Sequence, residues 1–402
     1  MELRADFPIF RDSTGEHPLV YLDNAATTQK PQTVINRLTE FYAHENANTH
    51  RGLYPLSLVA TDAYENARVV LQKFINAPSA DEVIFTRGTT EGINLFAYSW
   101  GRTFLQAGDE IIVTEMEHHS NIVPWQEAVR ATGAVLKWVP VKDGELDLDV
   151  YDSLLSNKTK LVAVGLVSNV LGTINSVKEI TARAKKFGAL VLADGAQAAA
   201  HMAMDVQDLG IDSLAMSAHK MYGPTGIGAL WVRGELLDTM PAFMTGGNMI
   251  EDVRHDGAVY QTRAHKFEAG TMPIAEVIAM TPMIEWIQNV GFEKIRAIED
   301  EVTRYAMEKL GAIDGMIMYG TKNLSHRAPV FPFCLSDVHP HDVADTLGSM
   351  NICVRAGKHC ANPLHNALGV AATTRASLAI YNTTDDIDRL VEGLNEVKRI
   401  YE

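Results

Sequence analysis

The sequence predicts an α/β protein: a large domain with a mostly parallel sheet flanked by helices, followed by a smaller α/β C-terminal domain. Three observations carry this expectation. Apolar runs of strand length alternate with helix-spaced segments between residues 82 and 232, the pattern that builds a parallel sheet covered on both faces. Polar residues able to do chemistry stand at the carboxyl ends of those runs, where ligands gather in such sheets. Past residue 291 the order changes, and a chain of 402 residues is long enough for two domains. The expected division is a segment 1–19 that packs with the small domain, a large ligand-binding domain 20–291, and a small domain 292–402 that carries the loop around Cys360.

Residues 20–26 read as a small strand running into a tight polar turn, and residues 31–43 have helical spacing. The polar loop Asn48-Thr49-His50-Arg51-Gly52 precedes a long helical stretch, 58–75. Residues 82–86 form a strand that enters Arg87-Gly88-Thr89-Thr90-Glu91-Gly92. A glycine turn, two hydroxyls and a helix start make a phosphate cradle, because free N–H groups and the positive end of the helix dipole face the anion. Ordinary capping by Thr with Glu91 nearby would use the same residues. The strand 110–114 ends in Glu115-Met116-Glu117-His118-His119-Ser120-Asn121. Paired histidines suggest a metal, but no third ligand stands at a recognisable spacing. An imidazole at a strand end can instead stack on an aromatic cofactor and pass protons near neutral pH. A strand at 135–139, a helix at 148–155, a strand at 161–167 leading to Ser168-Asn169, and a helix at 177–187 follow.

The next strand, 189–193, ends at Asp194 with Gln197 three residues on. Then comes a strand-loop-strand unit with Ser217-Ala218-His219-Lys220 at its tip and apolar runs on either side. A loop lysine is ordinarily solvated. One held between two buried strands loses water, which favours the neutral amine that Schiff-base chemistry needs. A lysine for the aldehyde and an acid at a neighbouring strand end for the ring nitrogen are what pyridoxal phosphate requires.

Residues 245–249 and 267–271 read as loops, and 274–288 as one long helical stretch leading to two further helices and short strands. Strands at 328–335 and 351–354 hold Cys334 and Cys353, both expected in the core. Cys360 stands in Arg355-Ala356-Gly357-Lys358-His359-Cys360, a polar loop whose three basic side chains would stabilise a thiolate; an exposed spectator thiol is the other reading. Arg375 follows and could fork onto a carboxylate.

The totals narrow the function classes. A net charge of −15 and the lack of Lys/Arg clusters argue against nucleic acid as a partner. No apolar run reaches a membrane span and residues 1–10 do not have a signal-peptide layout, so the expected address is cytoplasmic. Three cysteines form neither a CxxC pair nor an even framework, so neither structural disulfides nor a metal is expected.

Along nearly its whole length the chain resembles the SufS/CsdA-type cysteine desulfurases, class V of the fold-type I pyridoxal-phosphate enzymes. The shared blocks are residues 87–94, Met-Glu-His-His at 116–119, 167–172, Asp-Gly-Ala-Gln at 194–197, His-Lys-Met-Tyr-Gly-Pro-Thr-Gly at 219–226, Phe-Glu-Ala-Gly-Thr at 267–271 and Arg-Ala-Ser-Leu-Ala at 375–379. Two departures stand out: Lys358-His359 where the family usually has two histidines, and Gly270-Thr271-Met272-Pro273 where it usually has Gly-Thr-Pro-Asn. The resemblance implies that Lys220 forms the Schiff base, Asp194 pairs with the ring nitrogen, Gln197 with the ring hydroxyl, and His118 stacks on the ring as acid or base. Thr89, Thr90, Ser217 and His219 would hold the phosphate, joined by Thr271 of a second subunit in a homodimer. Asn169, which would also touch the cofactor, and Arg375 would bind the substrate carboxylate, with Arg355 lining the substrate entrance near Cys360. Cys360 would attack the sulfur of L-cysteine, keep it as a persulfide, release L-alanine, and pass the sulfur to a SufE-like or SufU-like acceptor, for iron-sulfur cluster assembly. A selenocysteine lyase acting on L-selenocysteine, or a catalytically quiet sulfur-relay scaffold, would use the same frame.

Overall fold

Seven apolar runs become one sheet in the computed structural model, which describes residues 3–11 and 17–401. In chain order they are β1 (Val83–Thr86), β2 (Glu110–Thr114), β3 (Val135–Val139), β4 (Thr159–Gly165), β5 (Leu190–Asp194), β6 (Ser213–Ser217) and β7 (Gly228–Val232). Across the sheet the order is β1-β7-β6-β5-β4-β2-β3, with β7 antiparallel to β1 and β6 and every other pair parallel. Successive side chains point to opposite faces. On β4, Val162 and Val164 accordingly enter one apolar cluster while Leu161 and Ala163 enter another. Both faces are buried under helices, which is why these strands read as unbroken apolar runs.

The covering helices follow from spacing. Pro55–Phe74 opens on a proline, suited to a first turn, and buries Ala60, Tyr64, Ala67, Leu71 and Phe74 along one stripe. Val177–Lys185 does the same with Val177, Ile180 and Ala184. Glu268, fully buried, accepts hydrogen bonds from Arg68 Nη1 (2.7 Å), Tyr64 Oη (3.0 Å) and the Phe85 N–H (2.8 Å). One carboxylate thus ties the loop 267–271 to helix Pro55–Phe74 and to β1.

The stretch 274–288 is two helices, Ile274–Ile278 and Met280–Val290, because the α ladder is interrupted at Ala279. Gly291, at φ 80°, ends the second. Between the large sheet and these helices lies a hairpin not expected from the sequence, β8 (Ile250–Arg254) with β9 (Gly257–Tyr260), exposed along almost its whole length. Its two-residue loop is His255-Asp256, with Gly257 opening the return strand opposite Arg254, so the only local signal was a glycine at the last turn position.

Past Gly291 a second sheet runs β10-β11-β13-β12, from β10 (Met316–Met318), β11 (Val330–Leu335), β12 (Arg355–Gly357) and β13 (Thr373–Ser377). Helices Phe292–Gly311, Pro340–Ser349, Asn362–Leu368 and Thr384–Tyr401 accompany it, more than the two expected, since the short ones are hidden among polar loop residues. Val20–Tyr21 pairs with Ile352–Cys353 and shares a core with Phe331, Phe333 and Leu390. At the N-terminus Arg4 pairs with Asp386 at 2.7 Å, and the Phe7 ring packs 4.6 Å from that of Tyr381 and 5.3 Å from that of Trp286. Cys334 and Cys353 are half-buried, a correction to their reading as core residues: Cys334 pairs with the exposed Ile317 at the sheet edge, and Cys353 lies on a strand only two residues long.

Candidate active site

The carboxyl ends of β2, β4, β5 and β6 converge with the turn after β1 and with the second sheet on a cavity of about 210 Å³. From the first sheet come Thr89 and Thr90, His118, Asn169, Asp194 and Gln197, and Ser217, His219 and Lys220; from the second come Arg355, His359 and Arg375. Residues far apart in sequence meet because those of the first sheet stand at or just after strand ends, while Arg355 and Arg375 come from paired strands of the second.

Lys220 closes a single helical turn after β6. Burial pushes its ammonium down to about 8, with Asp194 holding it up and Arg375 pressing it further down. Asp194 is buried at the end of β5, and burial raises its carboxyl while the Ala196 N–H (2.9 Å) and Lys220 pull it back. Gln197 donates its amide nitrogen to Ala25 O at 2.8 Å, leaving its oxygen as acceptor. His118 accepts the Ser120 N–H at Nδ1 (3.1 Å), so the neutral ring carries its proton on Nε2. Burial, then Lys220, drives its pKa down to about 3, and the ring is neutral at physiological pH.

One end of the cavity is built from β1, β6 and β7. Gly88 caps the helix Thr89–Phe96 at φ 145°, which only glycine adopts freely. A Cβ on Gly228 would lie 2.6 Å from Gly88 Cα and closer still to Met216 O, so a bare backbone is what lets β7 fit here. Ser217 Oγ accepts the Thr89 N–H at 2.8 Å and meets Thr89 Oγ1 at 2.9 Å. Thr90 Oγ1 lies 2.7 Å from Ser120 Oγ, itself 3.0 Å from His118 Nδ1, so a hydroxyl chain links this end to the histidine. His219 anchors the turn through its carbonyl, which accepts from the Thr28 N–H (3.0 Å), and burial takes its ring down to about 4. An N-terminal helix turn with hydroxyls, a buried acid and a lysine of lowered pKa around one cavity fit pyridoxal phosphate. Thr271 does not line this cavity; it is exposed on the turn after Gly270.

Arg375 is fully buried on β13, its Nη2 3.0 Å from Asp23 Oδ1 and its Nη1 donating to Asn169 O at 2.8 Å. The Asn169 side chain donates to His359 O at 2.7 Å and so holds the Cys360 turn. Cys360 does not itself line the cavity; it is half-buried, with Sγ 3.9 Å from Nη2 of Arg355, which does. His359 and Cys360 both sit in the left-handed region, at φ 49° and 57°. The basic loop read from the sequence needs correction: Lys358 is exposed, and burial brings His359 down to about 2, so Arg355 is the cation beside the sulfur.

Sequence reasoning did not assign Glu117, Ser120 or Asp23. Glu117 is buried in the cavity wall and accepts from Thr114 Oγ1 (2.7 Å) and Asn121 Nδ2 (2.7 Å); burial pushes it up to about 7 against those donors. Glu117 and Ser120 flank His118 in a block already singled out, so the signal was position rather than residue type.

Residues 20–390 match the family model described as aminotransferase class-V. A probable cysteine desulfurase of Halalkalibacterium halodurans is 47% identical over 401 residues, covering 100% of this chain and 98% of the relative. A cysteine desulfurase of Synechococcus elongatus is 46% identical, covering 99% of this chain and 63% of its own. Among solved structures, the cysteine desulfurase CsdA of Escherichia coli superposes with a TM-score of 0.92 at 36% identity, covering 99% of this chain and 98% of its own.

Proposed function

The chain belongs to the class-V aminotransferase family and is a cysteine desulfurase, and from that premise we propose that Cys360 takes the sulfur of L-cysteine as a persulfide and hands it to an acceptor protein. Its cofactor is pyridoxal phosphate, which supplies an aldehyde and an electron-withdrawing ring. We assign Lys220 to the aldehyde, Asp194 to the ring nitrogen, Gln197 to the ring hydroxyl and His118 to the ring face. Thr89, Thr90, Ser217 and His219 hold the phosphate, with Thr271 contributed by a partner subunit.

The observation that carries the reading is the meeting of a lysine of lowered pKa, Lys220, with Arg375 and Arg355 in one cavity, the Cys360 thiol lying 3.9 Å from that Arg355. Arg375 takes the substrate carboxylate, assisted by Asn169 and Arg355, which points the substrate sulfur at Cys360. The neutral amine of Lys220 removes the proton from the substrate Cα. Cys360 thiolate attacks the substrate sulfur: an S–S bond forms, the C–S bond breaks, and its electron pair stays with the carbon fragment, which takes up one proton at Cβ, regains at Cα the proton that Lys220 holds, and leaves as alanine.

A homodimer is supported by Leu53, 94% exposed, and its exposed neighbours Tyr54, Leu56, Leu58 and Val59 around the start of helix Pro55–Phe74, an apolar patch that a second copy would cover. The organisation we propose is a segment 1–19, a large domain 20–291 and a small domain 292–402. No helix among the described residues is long and apolar enough to cross a membrane, and a cytoplasmic role in iron-sulfur cluster assembly fits that. Cys360→Ala should bind L-cysteine and change the cofactor spectrum yet release no alanine, and mass spectrometry of the native enzyme after one turnover should find one added sulfur on Cys360. Full alanine release by the variant overturns the assignment.

A further inference from the structure

Two buried polar atoms beside this cavity lack a hydrogen-bond partner, and each is what the other needs: His359 Nδ1 and Arg375 Nε. Both side chains line the cavity, at 3% and 1% exposure. Unpaired polar atoms this deep are costly and rare, which asks for a state in which they are paired.

The protonation of His359 follows from its neighbours. His365 Nδ1 lies 3.0 Å from Ala361 O, an acceptor only, so its proton is there and its Nε2 accepts the Thr373 hydroxyl at 3.3 Å. With that hydroxyl hydrogen spent, His359 Nε2, 2.9 Å from Thr373 Oγ1 and 3.1 Å from Thr373 O, must be the donor. Nδ1 of His359 is therefore a bare lone pair, and burial keeps the ring from a second proton.

The register brings the two side chains to one region, and Arg375 is the largest charge effect on the His359 ring. Arg375 stands opposite Arg355, and Thr373 opposite Gly357, across β12 and β13. Thr373 and Arg375 are two apart on one strand and share a face. The His359 ring, seated on the Thr373 hydroxyl, lies on that face beside Arg375, and its own backbone carries the left-handed turn of Cys360.

We propose that His359 is a positioning residue: Thr373 fixes its ring, and its Nδ1 accepts the Nε–H of Arg375 when a substrate carboxylate draws that arginine off Asp23, so that filling the carboxylate site is registered at Cys360. This rests on the reading of Arg375 as the carboxylate residue. It couples substrate recognition to the nucleophile's turn through one hydrogen bond to a charged group.

The test uses the holoenzyme and two isosteric variants. His359→Gln places an amide nitrogen where Nε2 donates to Thr373 and removes the Nδ1 acceptor. His359→Asn keeps an acceptor near Nδ1 and gives up the far donor. Losing a hydrogen bond to a charged group should raise the KM for L-cysteine about tenfold in His359→Gln, with kcat changed less. Alkylation of Cys360 by iodoacetamide should respond to L-alanine in the native enzyme and in His359→Asn, and not in His359→Gln. In the double variant with Arg375→Lys, His359→Gln should have no further effect. Native KM and an intact alanine response in His359→Gln, or additive losses in the double variant, overturn the proposal. If His359→Gln does not fold, loss of the alanine response in a folded His359→Asn overturns it instead. An unchanged KM in Arg375→Lys would instead remove the carboxylate reading beneath it.

Discussion

Lys220 closes the turn after β6 with an amine that burial pushes down from 10.5 to about 8, Asp194 opposing and Arg375 adding to the effect. Because a base of lowered pKa is neutral above that value, cofactor-free protein should take up pyridoxal phosphate faster as pH rises, roughly fifteenfold between pH 6.5 and 8, then level off. The yellow absorbance of the bound cofactor follows it; a rate that is flat there, or that climbs only near pH 10, contradicts a desolvated Lys220. Lys220 and Asp194 were legible in the sequence because each follows an apolar strand run, so sequence position alone put them at ligand-bearing strand ends. His359 was not. Beside Lys358 and Cys360 it reads as one more cation, and its neutrality comes from burial first and then from the charges of Arg375, His365 and Arg355, against a Thr373 contact that opposes it; none of these is a neighbour in the chain. Asp23 is further still from its partner Arg375, and nothing local marks it.

At the scale of elements, the seven strands of the large sheet were legible to within a residue or two, since strands buried on both faces write continuous apolar runs, whereas β10, β12 and β13 of the second sheet were not legible as strands and residues 355–357 read as loop. What escaped were features set by geometry rather than composition: the exposed hairpin β8–β9, the break at Ala279, and the short helix Asn362–Leu368 after the Cys360 turn. The junction of β7 with the phosphate turn is such a feature. Gly228→Ala places a methyl 2.6 Å from Gly88 Cα, against backbone that has nowhere to go. It should cost about 3 kcal/mol and weaken cofactor binding as the turn is displaced. Gly226, two residues earlier at φ 75°, has open space around its Cβ position. Gly226→Ala therefore suffers backbone strain alone, about 1 kcal/mol, and keeps the cofactor. Urea unfolding with cofactor titration separates them; equal losses would mean that backbone conformation, not close approach, explains both glycines.

For the whole molecule the question is how sulfur leaves a site closed by both sheets. Three polar contacts hold the Cys360 turn to the large sheet's loops and to its own helix: Asn169 Nδ2 to His359 O (2.7 Å), the His119 N–H to Cys360 O (2.8 Å), and His365 Nδ1 to Ala361 O (3.0 Å). Asn362 N–H, which opens the next helix, donates to His119 Nε2 at 3.0 Å. Even with every contact broken, residues 358–361 are all that separate β12, ending at Gly357, from the helix starting at Asn362. With Lys358 and His359 before Cys360 and only Ala361 after it, the extended chain could carry the sulfur outward only on the order of 7 Å. A persulfide held this way cannot swing to a distant acceptor, so the acceptor's own thiol has to enter the cleft beside Arg355. Alanine release from L-cysteine under weakly reducing conditions should therefore be slow for the enzyme alone, limited by the undischarged persulfide, and should rise at least tenfold when a SufE-like or SufU-like protein is added. A variant of that protein lacking its acceptor cysteine should give no rise. Fast turnover without any acceptor, unchanged by adding one, would show that the turn opens far enough to discharge its sulfur by itself, and the three contacts would then not be holding it in solution.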